Sequence, residues 1–182
     1  MFAKQSLLFF TLLIASCLVW AQTYDQLVNS NTVLAGIISQ DDDNVESITV
    51  ANGLENAPKV TEDVQNIQGH IQTVLKNNQG ITPSDNAEQE DTLVNSFDPV
   101  ATNLVDYMKD LTAKEDILAL FFQQDAIYQA LENVSSSYTS LYRYENSLLE
   151  TPDIQNELTQ SYANGLTAVL NAIQAFEPST LG

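Results

Sequence analysis

The sequence predicts an all-α fold, an antiparallel bundle of about five helices in a single domain. Three observations carry that expectation. Apolar residues recur at spacings of three and four along most of the chain, the period of a helix with one buried face. No stretch alternates with period two for long enough to make a strand, so a sheet has no sequence to build it. No Gly/Ser-rich or Pro-rich linker divides the 182 residues, a length that suits one domain.

The chain opens on a leader. Lys4 stands in a short polar start, and an apolar run from Leu7 to Val19 is interrupted only by Thr11 and Ser16. Val19-Trp20-Ala21 then offers the small or branched residues that a signal peptidase reads, so cleavage after Ala21 is expected and residues 22–182 form the helical-bundle domain. Ile14-Ala15-Ser16-Cys17 also fits the lipobox of an acylated lipoprotein. Leu18-Val19-Trp20 continue the apolar run instead of opening a polar tether, which favours plain secretion. Cleavage removes Cys17, the only cysteine. An exported chain without disulfides must rely on core burial.

The first helix is expected from about Thr23 to Gln40, with Leu27, Leu34, Ile37 and Ile38 inward. Asp41-Asp42-Asp43-Asn44 reads as the cap and acidic first turn of a second helix carrying Val45, Ile48 and Leu54, which Pro58 interrupts or kinks. Val60, Val64, Ile67, Ile71, Val74 and Leu75 form the next stripe, closed by Asn77-Asn78-Gln79-Gly80, residues suited to a C-cap. Thr82-Pro83-Ser84-Asp85 and Thr151-Pro152-Asp153 each place a hydroxyl at the N-cap, proline at the first helical position and acid in the first turn. The first of these opens a helix with Leu93, Phe97, Val100, Leu104, Met108 and Leu111, bent at Pro99. The second opens the last helix, with Ile154, Leu158, Tyr162, Leu166, Val169, Leu170, Ile173 and Phe176.

Between them runs the longest pattern. Ile117, Leu120, Gln124, Ile127, Leu131, Val134, Tyr138, Leu141, Glu145 and Leu148 alternate steps of three and four, the seam of one long helix in a shallow-angle bundle. Phe121, Tyr128, Ser135 and Tyr142 run beside it at intervals of seven. That second file widens the apolar face beyond what one neighbouring helix needs.

Charge bounds the partners. The net charge is −18, and all 24 Asp and Glu follow the leader. Lys59, Lys76, Lys109, Lys114 and Arg143 are scattered, whereas nucleic-acid binding needs basic side chains in clusters, so nucleic acid is excluded as a partner. An anionic membrane surface would repel the chain for the same reason. No segment after the leader is apolar enough to span a bilayer, so no integral membrane segment is expected.

Catalytic chemistry has little to stand on. His70 is the only histidine, so a multi-histidine zinc site is unavailable and a Ser-His-Asp arrangement rests on that one imidazole. His70 reads as a surface or boundary residue. Asp41-Asp42-Asp43-Asn44-Val45-Glu46 lacks the central glycine and ligand alternation of a calcium loop. A paired-carboxylate mechanism is formally open with so many acids, but no pair stands out and the one Trp lies in the leader. No enzyme activity, cofactor or metal is therefore expected. Asn133-Val134-Ser135 is the one glycosylation sequon, placed on the long helix, where packing limits access. The chain closes without a hydrophobic tail of the lipid-anchor kind, so a free extracellular protein is expected.

Over most of the chain after the leader, and most strongly from Ile81 to Glu157, the sequence resembles the fungal hydrophobic-surface-binding protein A family, which includes cell-wall galactomannoproteins. Within it, the segment ITPSDNAEQEDTLVNSFDPVATNLVDYMKDLTAKEDILALFFQQDAIYQALENVSSSYTSLYRYENSLLE carries the likeness: a helix of Leu and Val spacing, a short Lys-containing turn, and a long helix with Leu, Asp and Thr/Ser in register. The chain departs from the family's Ala, Ser and Thr richness in being rich in Asn, Gln and Tyr. The resemblance implies a secreted helical bundle, association with the cell wall, adsorption to hydrophobic surfaces and binding of a fatty acid or other apolar ligand in the bundle interior. Ile71, Phe97, Leu104, Met108, Phe121, Tyr128, Leu131, Leu166 and Ile173, inward positions on adjacent helices, are then the candidate ligand contacts. Ordinary core is the alternative reading of the same residues. A structural cell-wall or effector protein acting through its acidic surface on a protein partner is the second functional reading. A helical inhibitor of the invertase or pectin-esterase type is the third, and it lacks the cysteines such bundles need.

Overall fold

The computed structural model describes the backbone of residues 2–178 and the side chains of residues 24–178. The side chains of residues 1–23, among them Cys17 and the expected leader and cleavage site, lie outside the described residues. Six helices follow in order: α1 (Phe2–Glu46), α2 (Gly53–Asn77), α3 (Ala87–Ala113), α4 (Glu115–Leu120), α5 (Gln124–Asn146) and α6 (Pro152–Phe176). The only β feature among the described residues is a single parallel bridge between Ser84 and Leu149.

The five long helices close into a ring in the order α1, α3, α6, α5, α2, and back to α1. Cross-contacts fix their directions. Asn31 meets Ser96 and Asn103 meets the Ala35 carbonyl, so α1 and α3 run the same way. Glu90 meets the Thr151 amide and Asp98 meets Ser161, which sets α6 parallel to α3. Thr61 meets Gln123 and Tyr144 meets the Asn78 carbonyl, so α2 and α5 also share a direction. Thr139 meets Tyr162 and Tyr142 meets Thr159, a crossed pairing that makes α5 and α6 antiparallel. Successive long helices therefore alternate in direction along the chain, as an antiparallel bundle requires, yet the ring places like-directed helices side by side.

Four sequence expectations change at the ends of elements. The acidic run does not start a helix, because Asp41 to Glu46 continue α1. Val45 and Ile48 are fully buried, and burying Val45 on the face of Leu34 and Ile38 outweighs the turn preference of three aspartates. The helix expected there dissolves, and Leu54 becomes an exposed residue of α2. Pro58 lies inside α2, which runs past it to Asn77.

The second change concerns Thr82-Pro83-Ser84-Asp85, which remains outside α3. The N-cap is Asn86, whose side chain accepts from the Glu88 amide at 3.0 Å. Ser84 instead ties the connection down, donating to Gln89 at 2.8 Å and accepting from the Asn86 amide. At the corresponding site, Thr151 is the N-cap of α6 with Pro152 first, as expected, but its hydroxyl makes no capping bond. Glu90 of α3 reaches across to do so, its two oxygens accepting from the amides of Glu150 and Thr151.

The fourth change breaks the long helix in two. Phe121, Phe122 and Gln123 separate α4 from α5, and Phe122 has φ of 59°, a left-handed conformation unusual for a bulky residue. Phe121 packs its ring against Gly53, where a side chain would collide. That contact pulls the chain out of helical register. Ile127, Leu131, Val134, Tyr138, Leu141, Glu145 and Leu148 remain buried along the seam, while Leu120 turns to solvent.

Candidate functional site

The core holds Leu27, Leu34 and Ile38 from α1, Val64, Ile67 and Ile71 from α2, Leu93, Phe97, Leu104 and Met108 from α3, Leu131 and Leu141 from α5, and Val169 and Phe176 from α6. Of the nine candidate contacts, Ile71, Phe97, Leu104, Met108 and Leu131 lie together in this core. Leu166 and Ile173 are half-buried on α6 against it, and Phe121 and Tyr128 sit at its edge. Tyr128 turns its hydroxyl outward, donating to Glu132 at 3.3 Å. Asn133, the sequon residue, is exposed although its neighbour Val134 is buried.

Aromatic rings connect core to surface. Phe97 stacks on Tyr138 at 5.6 Å, Tyr138 meets Tyr162 at 5.4 Å, and Tyr162 stacks on Tyr142 at 4.0 Å. The ladder joins α3, α5 and α6, and Tyr138 rests its hydroxyl against Gly165, whose missing side chain leaves the space.

Polar groups interrupt this apolar interior, and sequence reasoning does not find them. Glu145 is fully buried on α5, and neither carboxyl oxygen has a hydrogen-bond partner. Beside it stands Asn31 of α1, also fully buried, with its Nδ2 donating to Ser96 at 3.1 Å and its Oδ1 unpartnered. Burial pushes the Glu145 carboxyl up to about 8, against a lowering by the nearby Asn31 amide. Tyr138, two turns back on the same helix face, also has a buried hydroxyl without a partner. In the sequence Glu145 shows only as a charged residue on an apolar seam, which is the one signal available there.

A second polar region lies where α1, α2 and α3 approach. Burial, then the neighbouring Asp63, raises Asp41 to about 6. Asp42 is raised to about 6 by burial, then by Asp110, Glu46, Asp106 and Asp43. Asn44 donates to Asp63 at 3.1 Å. Asp42, Glu46 and Asp110 bring carboxylate oxygens within 4.8 Å of one another, the one such group of potential metal ligands among the described residues. Lys114 donates to the carbonyls of Glu46 and Ile48.

On the surface, a groove of about 670 Å³ runs between α3 and α6, lined by Asp98, Thr102, Asp106, Ser161, Asn164, Thr167 and their neighbours. A smaller groove of about 170 Å³ places His70 beside Val33, Ile37 and Asn77. Neither groove is lined by any of the nine candidate contacts. No catalytic constellation assembles around His70 among the described residues, and its side chain is exposed.

Solved structures share this architecture. The protein AfMP4p in complex with palmitic acid superposes with a TM-score of 0.77 at 12% identity, over 85% of this chain and 99% of that one. Ligand-binding domain 1 of the Penicillium marneffei MP1 protein, complexed with arachidonic acids, gives 0.75 at 14% identity over 87% and 99%. Ligand-binding domain 2 of the same protein, also with arachidonic acids, gives 0.74 at 10% identity over 86% and 94%. This chain shares their fold. No family model matches the sequence, and no curated protein matches it. Among the described residues no helix is long and apolar enough to cross a membrane.

Proposed function

We propose that this chain is a non-enzymatic lipid carrier that holds a long-chain fatty acid between its helices. The observation that carries the reading is the fold shared with AfMP4p, a protein whose structure contains palmitic acid, along 99% of that protein's length. The wide apolar interior is consistent with such a ligand, since each methylene transferred from water contributes about 0.8 kcal/mol. Ile71, Phe97, Leu104, Met108 and Leu131 form the proposed inner contacts, and Leu166 and Ile173 the flank. Met108 can reshape around a flexible chain because its thioether has several low-energy rotamers.

Membership of the hydrophobic-surface-binding protein A family, export after Ala21 and cell-wall association belong to the same proposal. Adsorption to hydrophobic surfaces has a physical basis in exposed Leu54, Leu120 and Phe122, the last 92% exposed. These flank the contact between Phe121 and Gly53 at one end of the ring. The acidic cluster of Asp42, Glu46 and Asp110 supports the second reading, an acidic surface acting on a protein partner.

Calorimetric titration of palmitic acid into the purified protein, with mass spectrometry of co-purifying lipid, tests the carrier reading. Met108→Trp should abolish binding while helix content persists. Absence of binding by the unsubstituted protein, with no lipid extracted, would leave the acidic-surface reading as the better one.

A further inference from the structure

Four buried polar atoms in one apolar interior ask for an explanation. Both Glu145 oxygens, the Asn31 Oδ1 and the Tyr138 hydroxyl are unpartnered, and all three residues are fully buried. Such an atom ordinarily destabilises a folded protein, and native cores hold few of them. Ser96 cannot relieve them, because its hydrogen is committed to the Leu93 carbonyl at 2.7 Å.

We propose that Glu145, with Asn31 beside it, is the polar end of the space that opens between the helices for the ligand, where its carboxyl pairs with the carboxyl head group of a bound fatty acid. The inference rests on the carrier reading above and adds what recognises the head group. A protonated carboxyl offers one donor and one acceptor, the complement of a second carboxyl. The pair needs no cation, and none is available: α2 turns Ile71 and Val74 inward and keeps His70 and Lys76 exposed, and Arg143 of α5 is exposed as well. The other titratable groups around this region carry no positive charge. They are Tyr24 on α1, Glu90 on α3, Tyr138 and Tyr144 on α5, and Tyr162 on α6, and Glu90 is tied to two backbone amides.

Placement fits the length of the ligand. Glu145 lies in the last turn of α5 and Leu131 fourteen positions earlier on the same seam, about 21 Å at about 1.5 Å per residue, comparable to an extended palmitoyl chain. An acyl chain anchored at Glu145 would therefore run inward past Phe97 toward Leu131. A core that carries orphan polar atoms also costs less to open than a wholly apolar one.

Neutral Glu145 is the form that burial favours, so head-group pairing should be lost as pH rises and that carboxyl ionises. The test titrates palmitic acid and hexadecanol into the unsubstituted protein, Glu145→Gln and Glu145→Leu between pH 5.5 and 8.5, with thermal unfolding of each unliganded protein. Hexadecanol separates ionisation of the protein from ionisation of the ligand. The expected result is that affinity for hexadecanol falls by about fourfold across this range, as a carboxyl at about 8 ionises, and affinity for palmitic acid by about tenfold or more, because its own carboxyl ionises as well. Glu145→Gln should flatten the hexadecanol profile, since an amide hydrogen-bonds at every pH. Glu145→Leu should bind palmitic acid about tenfold or more weakly at pH 5.5 while unfolding at a higher temperature, because two of the four orphan atoms are gone. If Glu145→Leu binds palmitic acid as tightly as the unsubstituted protein at every pH, Glu145 is no head-group partner and the carrier reading survives alone. If the unsubstituted protein binds neither ligand at any pH, both fall.

Discussion

The Glu90 carboxylate caps a helix sixty positions away, accepting the backbone N–H of Glu150 through Oε1 at 2.6 Å. Its other oxygen takes the Thr151 amide at 3.1 Å. Both amides precede or open α6, where the helix dipole favours negative charge. Glu90 is fully buried, so these bonds are what make its burial tolerable. Glu90→Ala should then cost about 3 kcal/mol of stability, read by urea denaturation, since charge-assisted bonds to a buried acceptor are lost together. Glu90→Gln, which keeps one acceptor oxygen, should cost less.

Acidic groups raised on folding fix the direction of the pH dependence. Asp41 and Asp42 are raised to about 6 and Glu145 to about 8, so the folded state binds more protons than the unfolded state between the ordinary carboxylate range and those values. Stability therefore falls as pH rises through that window. Thermal unfolding should occur at a higher temperature at pH 5 than at pH 8.5. Asp42→Asn should reduce the part of the change that lies below pH 6.5, and an unchanged profile in that variant would contradict the assignment.

Gly165 and Tyr138 are expected to be coupled. A methyl group at position 165 would meet the Tyr138 hydroxyl and ring carbon, so Gly165→Ala should destabilise by about 1–3 kcal/mol as an overpacked core position. Tyr138→Phe removes an unpartnered hydroxyl and should change stability by less than about 1 kcal/mol. Denaturation of the double variant should show part of the Gly165→Ala cost recovered, an interaction energy that independent sites would not give.

Salt should stabilise the fold. The one ion pair among the described residues is Lys59 with Glu55 at 3.1 Å, on an exposed helix surface, and such pairs contribute little. Asp42, Glu46 and Asp110, by contrast, repel one another at close range. Raising sodium chloride from about 10 mM to about 500 mM, a change that shortens the screening length several-fold, should raise the unfolding temperature by a few degrees. A fall would mean that attraction, not repulsion, dominates the surface.

Much of the fold was legible because a helix records its buried face locally. Val60, Val64, Ile67, Ile71 and Val74 specify α2 within fifteen positions, and Leu93 to Leu111 do the same for α3. What failed was decided by distant partners. The seam runs numerically through Leu120 and Gln124, and nothing local reveals that Phe121 will seat on Gly53 and break the helix. Aspartates 41 to 43 favour a turn locally, but Val45 and Ile48 are drawn into the core and carry α1 onward. The burial of Ile71, Phe97, Leu104, Met108 and Leu131 was readable for the same reason as the helices. Asn31, Ser96 and Glu145 were not, because their meeting depends on the ring order of α1, α3 and α5.

The ladder of Phe97, Tyr138, Tyr162 and Tyr142 makes the protein its own optical probe. Trp20, the only tryptophan, precedes the proposed cleavage site after Ala21, so in a chain that begins at Gln22 the near-ultraviolet spectrum belongs to tyrosine and phenylalanine alone. Three of the four ladder rings are tyrosines from two helices, held 4.0 and 5.4 Å apart, close enough for their electronic transitions to interact and for excitation to pass between them. Separation of α5 from α6 would change tyrosine emission and its polarisation before any helix unwinds, which lets opening of the bundle be followed without an attached dye.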